Sequence, residues 1–499
     1  MFLGPFDRRK RRHRCVACTK SHLKCSGNFP CTACVKRGYP CQYGVVVQER
    51  AILVDRGKHS TIGTYRGVGQ SLVPDTLVAK PLVADQTTFY LSCFDAFLQK
   101  NKFTGLVSPR EDIAELVKRG DPESHLRDAV LCLGAMQALT LPAASRSKEI
   151  RQFALQSYAK SISRLRDALA NTVDDAESRV GILWSTLLLG LFELMNDSTG
   201  NGWLQHLIHG TSKALRASGP STCISGPCMR FFTESKIFEV CRAVVFNQPT
   251  FLADEKWMAL SASLRAYSLC SSQKVLDALL DIVVMCASLR VKAAHLIEFF
   301  QRSGPVDIII EQAQAISQRG FELRGQLHAW ASSHHTSNVF RCPATSQVSS
   351  ATWNTEHKHE TQLLAETCFS ATSIYLSGVF DYEIYYWQSL QLPVATLSED
   401  QIQQHVAFIL DSSQRLAGTS ISSLLLLFPL RVASARARKT SQKEQIMELL
   451  GIVGSSFPVA LAFKAEIENL WRYNSAREFG STTGSRSMII TASVGWVGD

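Results

Sequence analysis

The stretch CVACTKSHLKCSGNFPCTACVKRGYPC, residues 15–41, holds six of the fifteen cysteines in this 499-residue chain. Cys15, Cys18, Cys25, Cys31, Cys34 and Cys41 follow the spacing Cys-x2-Cys-x6-Cys-x5-Cys-x2-Cys-x6-Cys, so one Cys-x2-Cys-x6-Cys unit occurs twice. A Cys-x2-Cys pair places two thiolates on one metal, and zinc takes four such ligands in a tetrahedron. Six thiolates cannot complete two separate tetrahedra. They can if two sulfurs bridge both metals, and the symmetric choice is the first cysteine of each half, Cys15 and Cys31. The spacing therefore predicts a module organised by two zinc ions. Zinc ribbons and RING-like sites fit less well, because they need separate quartets and often a His ligand.

Charge is distributed as unevenly as the cysteines. The chain carries a formal net charge of +10, yet residues 1–44 contain ten Lys and Arg against one acid, Asp7. The rest of the chain is close to neutral. A short polyanion-binding module joined to a neutral body is the pattern this implies. Immediately before Cys15 runs Arg8-Arg9-Lys10-Arg11-Arg12-His13-Arg14, a seven-residue arm without an acid. Such a run can neutralise phosphates and has the composition of a nuclear localisation signal.

These residues resemble the fungal-type Zn(2)-Cys(6) binuclear zinc cluster of transcription regulators. The resemblance covers all six cysteines and every spacing, Lys24 before Cys25, Pro30 before Cys31, and the closing Cys41-Gln42-Tyr43. It implies a small domain of two short helices around two zinc ions, bound to double-stranded DNA. It also implies that Thr19–Lys24 is the helix entering the major groove, with Lys20 and Lys24 on or beside the DNA. Members of the family read a CGG-like triplet through a Lys near the end of this helix, the usual chemistry for guanine O6 and N7. This chain has His22 at that position and Ser21 before it. An imidazole can donate one hydrogen bond to guanine but is neutral at ordinary pH. His22 at a base and His22 at a phosphate both stay open. Lys36 and Arg37, on the helix of the second half, are expected at backbone phosphates.

Residues 45–84 read as a linker. Gly57, Gly63, Gly67, Gly69, Pro74 and Pro81 punctuate them, and no apolar heptad suggests a dimerising coiled coil. From about residue 85 the period becomes helical. After Ser147, for example, Ile150, Ala154, Tyr158, Ile162, Leu165 and Leu169 recur at steps of three or four. Comparable stripes cover 87–100, 111–118, 124–140, 180–195, 203–217, 234–246, 274–300, 307–329, 361–380, 399–416 and 442–452. The body over 85–473 is expected to be all-α, with a polar loop at 331–360 and a disordered tail at 474–499. The order Trp203, His206, His209, Gly210, Gly219-Pro220, Phe251-Leu252, Trp257, Phe428-Pro429-Leu430 and Leu470-Trp471 resembles the fungus-specific transcription-factor regulatory domain. That domain often accompanies zinc clusters in regulators of biosynthetic pathways. Trp203, Trp257 and Trp471 are expected in the core, and His206 and His209 as core or capped histidines. His334-His335 and His357-Lys358-His359-Glu360 read as a polar surface rather than a metal site. The nine other cysteines (93, 132, 223, 228, 241, 270, 286, 342 and 368) read as small core residues.

Several classes are disfavoured. Met1–Phe6 runs straight into basic residues with no apolar region of a secretory signal. The apolar stretches near Gly181–Leu191 and Ile421–Pro429 fall short of a bilayer span. Reduced thiols and a nuclear, intracellular setting are expected. No nucleophile elbow, complete phosphate loop or His-Glu-x-x-His helix points to an enzyme. The leading expectation is a sequence-specific transcription factor whose helical body recruits transcription machinery or co-regulators, without a membrane and with its oligomeric state open. The other is a regulatory or co-repressor protein that keeps the cluster but acts by binding another regulator through its body, motivated by His22 and the missing coiled coil.

Overall fold

Stripes three or four residues apart set the helices, and the computed structural model shows where each stripe goes. It describes residues 32–38, 84–103, 109–121, 124–141, 147–170, 176–200, 202, 206–268, 271–302, 305–334 and 353–480. The chain divides into two units, Met1–Val78 and Ala79–Asp499. The first contributes helix α1 (Thr32–Arg37). The second opens with α2 (Ala84–Lys100), α3 (Arg110–Arg119), α4 (His125–Ala138), α5 (Ser147–Ala170) and α6 (Ala176–Asn196). A π-helix over His206–Ser212 runs into α7 (Lys213–Ser218), followed by α8 (Gly226–Phe246), α9 (Glu255–Tyr267), α10 (Ser271–Gln301) and α11 (Val306–His334). The body closes with α12 (Trp353–Asp381), α13 (Ile384–Ser389), α14 (Glu399–Leu416), α15 (Leu427–Ser434), α16 (Thr440–Ser456) and α17 (Ala460–Gly480). Among the described residues no strand forms; a single isolated bridge joins Lys102 and Ile421. Among the described residues the body is all-α, as the periodicity predicts.

Two groups of helices share one core. In the first, Tyr90, Phe94 and Phe97 of α2 are buried against α4, of which every residue from Asp128 to Ala138 is buried. Gly134 makes that approach possible, because a Cβ there would lie 2.1 Å from the Tyr90 carbonyl oxygen. Helix α5 packs on α4 with Ala154, Ser157, Ser161 and Leu165 buried. Of the predicted stripe Ala154 and Leu165 are buried, while Ile150, Tyr158 and Ile162 are half-buried and the small Ser157 and Ser161 fill the other buried positions. Leu169 departs from that stripe: it is half exposed, since the last turn of α5 has passed the core. In the second group α10 packs on α11 and α12, and α12 on α14. Helix α8 touches α6, α10 and α15 and so joins the groups.

Polar residues enter this core with partners. Along α12 the hydroxyls of Thr367 and Thr372 donate back to the carbonyls of Leu363 and Cys368, four residues earlier, which lets a helix bury hydroxyls without orphaning them. On α8, Lys236 is 3% exposed and donates to Asp281 Oδ1 and to Ser261 Oγ, both at 2.7 Å. Six residues on, Arg242 Nη2 meets Glu239 Oε1 at 2.6 Å, and that oxygen also accepts from Thr250.

Four expectations need correcting. The polar loop at 331–360 is partly helical: α11 runs on to His334 and α12 already starts at Trp353. An apolar stripe marks the stretch of a helix that packs on a core and not where the helix begins or ends, so periodicity does not register these turns. Residues 335–352 lie outside the described residues, as does the linker before Ala84. The tail expectation fails at its start, because α17 continues to Gly480; residues 481–499 are outside. Helices α9, α13, α15 and α17 have no counterpart in the predicted stripes. Finally, 178–196 and 359–381 are long and apolar enough to cross a bilayer, but 83% and 89% of their apolar windows are buried inside the body. Their polar interruptions shorten the uninterrupted runs without lowering the mean hydropathy much.

Candidate nucleic-acid interface

Helix α1 carries the part of the six-cysteine array that the structure describes. Cys34 is 2% exposed, whereas Val35 is 63% exposed and Lys36 and Arg37 face solvent. Within this six-residue helix an inward thiol thus lies two and three positions from outward cations. Lys36 and Arg37 occupy the last turn, where positive charge complements the helix dipole. Gly38 ends the helix in the left-handed region at φ 65, a conformation that a side chain disfavours. Cys15, Cys18, Cys25, Cys31 and Cys41 lie outside the described residues. So do Lys20, His22, Lys24 and the arm residues Arg8, Arg9, Lys10, Arg11, Arg12 and Arg14.

The donor chemistry fits zinc. A thiol withdrawn from water at the centre of a short, otherwise exposed helix suits a metal ligand, and a soft donor set without carboxylates selects zinc over hard cations. The segment has too few large apolar side chains to fold on a core of its own. Bound zinc supplies the cross-links that replace one.

The body's candidates behave differently. Among the described residues no group of three or more His, Cys, Asp and Glu is placed to hold a metal. His206 Nε2 lies 2.8 Å from Tyr158 Oη, and burial holds its pKa down at about 4. His209, by contrast, is exposed and not a core residue: it falls on the outer side of the π-helix, while Leu207 and Thr211 face inward. Trp257 stacks on Phe232 and meets Phe251 edge-on. Trp471 donates its indole N–H to the Ser434 carbonyl at 2.9 Å. Trp203 lies outside the described residues. Phe428, Pro429 and Leu430 are buried in the first turn of α15, where a proline costs no helical hydrogen bond. Glu360 accepts from Ser420 Oγ at 3.1 Å and is part of the packing.

Cys93, Cys132, Cys223, Cys228, Cys286 and Cys368 are buried and Cys241 is partly so, while Cys270 and Cys342 are outside the described residues. Sequence reasoning missed two buried arrangements: the Lys236–Asp281 pair, and the close approach of Cys223 to Cys228. Residues 45 apart carry no sequence signal of their contact. Two cysteines five apart across a Gly-Pro do carry one.

Two family comparisons give the class of a chain that joins a basic, cysteine-rich segment to a helical body: a fungal DNA-binding transcription regulator. Residues 13–49 match the fungal Zn(2)-Cys(6) binuclear cluster domain, which binds two zinc ions. Residues 84–489 match the fungal specific transcription factor domain. The second match spans most of the chain and begins at the first residue of α2; the chain belongs to this family. No curated protein and no solved structure matches it.

Proposed function

We propose that this protein is a sequence-specific transcription factor that reads a CGG-like triplet in double-stranded DNA with residues 15–41. All six cysteines serve as zinc ligands, with Cys15 and Cys31 bridging the two ions. Thr19–Lys24 lies in the major groove, with Lys20, His22 and Lys24 along the base edges. Arg8, Arg9, Lys10, Arg11, Arg12 and Arg14 grip phosphates and direct the chain to the nucleus. Lys36 and Arg37 meet the backbone from α1, which fixes register without reading sequence. The helical body contacts transcription machinery or co-regulators, and its resemblance to pathway regulators suggests control of a biosynthetic gene cluster. The observation that carries this reading is the doubled Cys-x2-Cys-x6-Cys unit inside the segment that holds nearly all of the chain's excess charge.

Selection of duplexes from a random pool by the full-length chain, with zinc and with a strong chelator, tests it. Enrichment of a CGG-like triplet that the chelator erases is the expected result. Binding without enrichment of any sequence would overturn it and favour a regulator that acts through its body.

A further inference from the structure

Cys223 closes a short 3-10 turn over Pro220–Cys223, and Cys228 sits in the first turn of the 21-residue helix α8. Between them Ser225 is extended and Gly226 adopts φ 70. That left-handed residue reverses the chain and brings the two sulfurs to 2.8 Å. A Cβ at Gly226 would meet nothing, so the dihedral angle rather than crowding calls for glycine. Thr222 Oγ1 lies 3.8 Å from both sulfurs.

The two thiols differ in surroundings. Cys223 is fully buried. Cys228 is 9% exposed and lines a cavity of about 240 Å³, shared with Arg179 and Arg230. Arg230 is held by Asp112 at 2.6 Å. The hydrogen bond from Cys223 favours the Cys228 thiolate over the thiol, and Thr222 and the charge of Arg179 act in the same direction. The N-terminus of α8 adds to this. The opposite holds at Cys223, whose thiol is kept protonated by its bond to Cys228 and by burial. Burial alone pushes the Cys93, Cys241 and Cys286 thiols up, with nothing nearby that lowers them as far.

We infer that Cys228 and Cys223 form a reactive thiol pair, an oxidation site in the regulatory body that a small hydroperoxide reaches through this cavity. The Cys228 thiolate attacks one peroxide oxygen. The S–O bond forms, the O–O bond breaks, and the departing hydroxide takes a proton to become water. Cys223 then attacks the sulfenic sulfur, forming the S–S bond as the S–O bond breaks. Its proton leaves with that oxygen as a second water. The thiols lose two electrons together and hydrogen peroxide is reduced to two waters. Closing the bond needs less than 1 Å of movement from the present 2.8 Å. The disulfide would tie the 3-10 turn to the start of α8 until a dithiol reduces it.

The site has a direct assay, because both cysteines fall in one tryptic peptide, Ala217–Arg230. The zinc-loaded full-length chain is treated with hydrogen peroxide, quenched with iodoacetamide and digested. The expected result is that this peptide loses two hydrogens and escapes alkylation, at peroxide doses that leave the Cys132, Cys286 and Cys368 peptides unchanged, and that dithiothreitol reverses it. With Cys223→Ser the sulfenic acid persists on Cys228 and a 1,3-dione labels it; with Cys228→Ser neither product forms. In the untreated wild type, iodoacetamide should modify Cys228 on the order of tenfold faster than Cys132. A peptide that stays doubly alkylated at doses that oxidise the other buried cysteines would overturn the proposal. So would equal alkylation rates for Cys228 and Cys132.

Discussion

Replacing Lys236 with Met probes how the body tolerates charge in its core. The ammonium is 3% exposed, lies 2.7 Å from Asp281 Oδ1 and 3.9 Å from Asp277 Oδ1, and also donates to the Asp277 carbonyl at 3.2 Å. At an effective dielectric constant of about 20, the closer pair attracts by roughly 6 kcal/mol. Most of that offsets the desolvation of both charges. Removing one partner from a buried pair costs about 3–5 kcal/mol, because the other is left behind. The lower end applies here. Asp281 keeps Ser261 on Oδ1 and Arg265 on Oδ2, and Arg265 is partly open to water. Lys236→Met should therefore destabilise the body by about 3 kcal/mol. Asp281→Leu should cost a similar amount, and the double variant clearly less than the sum, since no charge is then stranded between the two positions. Acid gives a second signature. Burial already raises the Asp277 carboxyl, and Lys236 opposes the rise. Without Lys236 the folded-state pKa rises further, so the added stability is present at low pH and lost as pH rises through it. The Lys236→Met defect should shrink at acid pH relative to alkaline. Denaturant unfolding of the full-length chain at several pH values reads both effects. A cost under about 1 kcal/mol, or strict additivity in the double variant, would refute the reasoning.

Gly134→Ala drives a Cβ against the Tyr90 carbonyl; the α2–α4 contact must open, at about 2–3 kcal/mol, seen as a lower denaturation midpoint. His206 and His405 are both held neutral by burial, with pKa values near 4 against 6.5 when free. Their contribution is complete above 6.5 and falls away as pH drops toward 4, by up to about 1.4 kcal/mol per unit for each ring. His206→Gln should flatten the loss of stability across this window, and an unchanged slope would contradict the assignment. In the basic arm, Arg11→Ala with Arg12→Ala should reduce the slope of log affinity against log salt by about 2, while sequence preference is kept; titrations of the full-length chain at several salt concentrations measure it.

Legibility in the sequence followed how local each cause is. Helix α14 was predicted at 399–416 and spans those residues, because Ser398 and Gln401 cap each other and Ile402, Val406 and Ile409 mark the buried face. The cysteine array is likewise local, with its ligand set written in its spacing. What escaped depends on distant partners or on weak periodicity. Helix α8 is buried on nearly all sides, including Lys236, Glu239 and Arg242, so it shows no polar face and its first eight residues went unread. The same long-range packing hides the ion pairs that satisfy it. The π-helix at His206–Ser212 arises where Gly210 lies close to Thr186 and Thr211 bonds to it at 2.9 Å. No motif anticipates that contact.

Zinc content measured beside DNA binding tests the central claim most directly. The full-length wild type should hold two zinc ions per chain, and a chelator that removes them should abolish binding to a CGG-containing duplex. Cys31→Ala deletes a predicted bridge, so it should lose both zinc and DNA binding while the helical body keeps its circular dichroism. A Cys31→Ala chain that retained two zinc ions and bound the duplex like wild type would contradict the account.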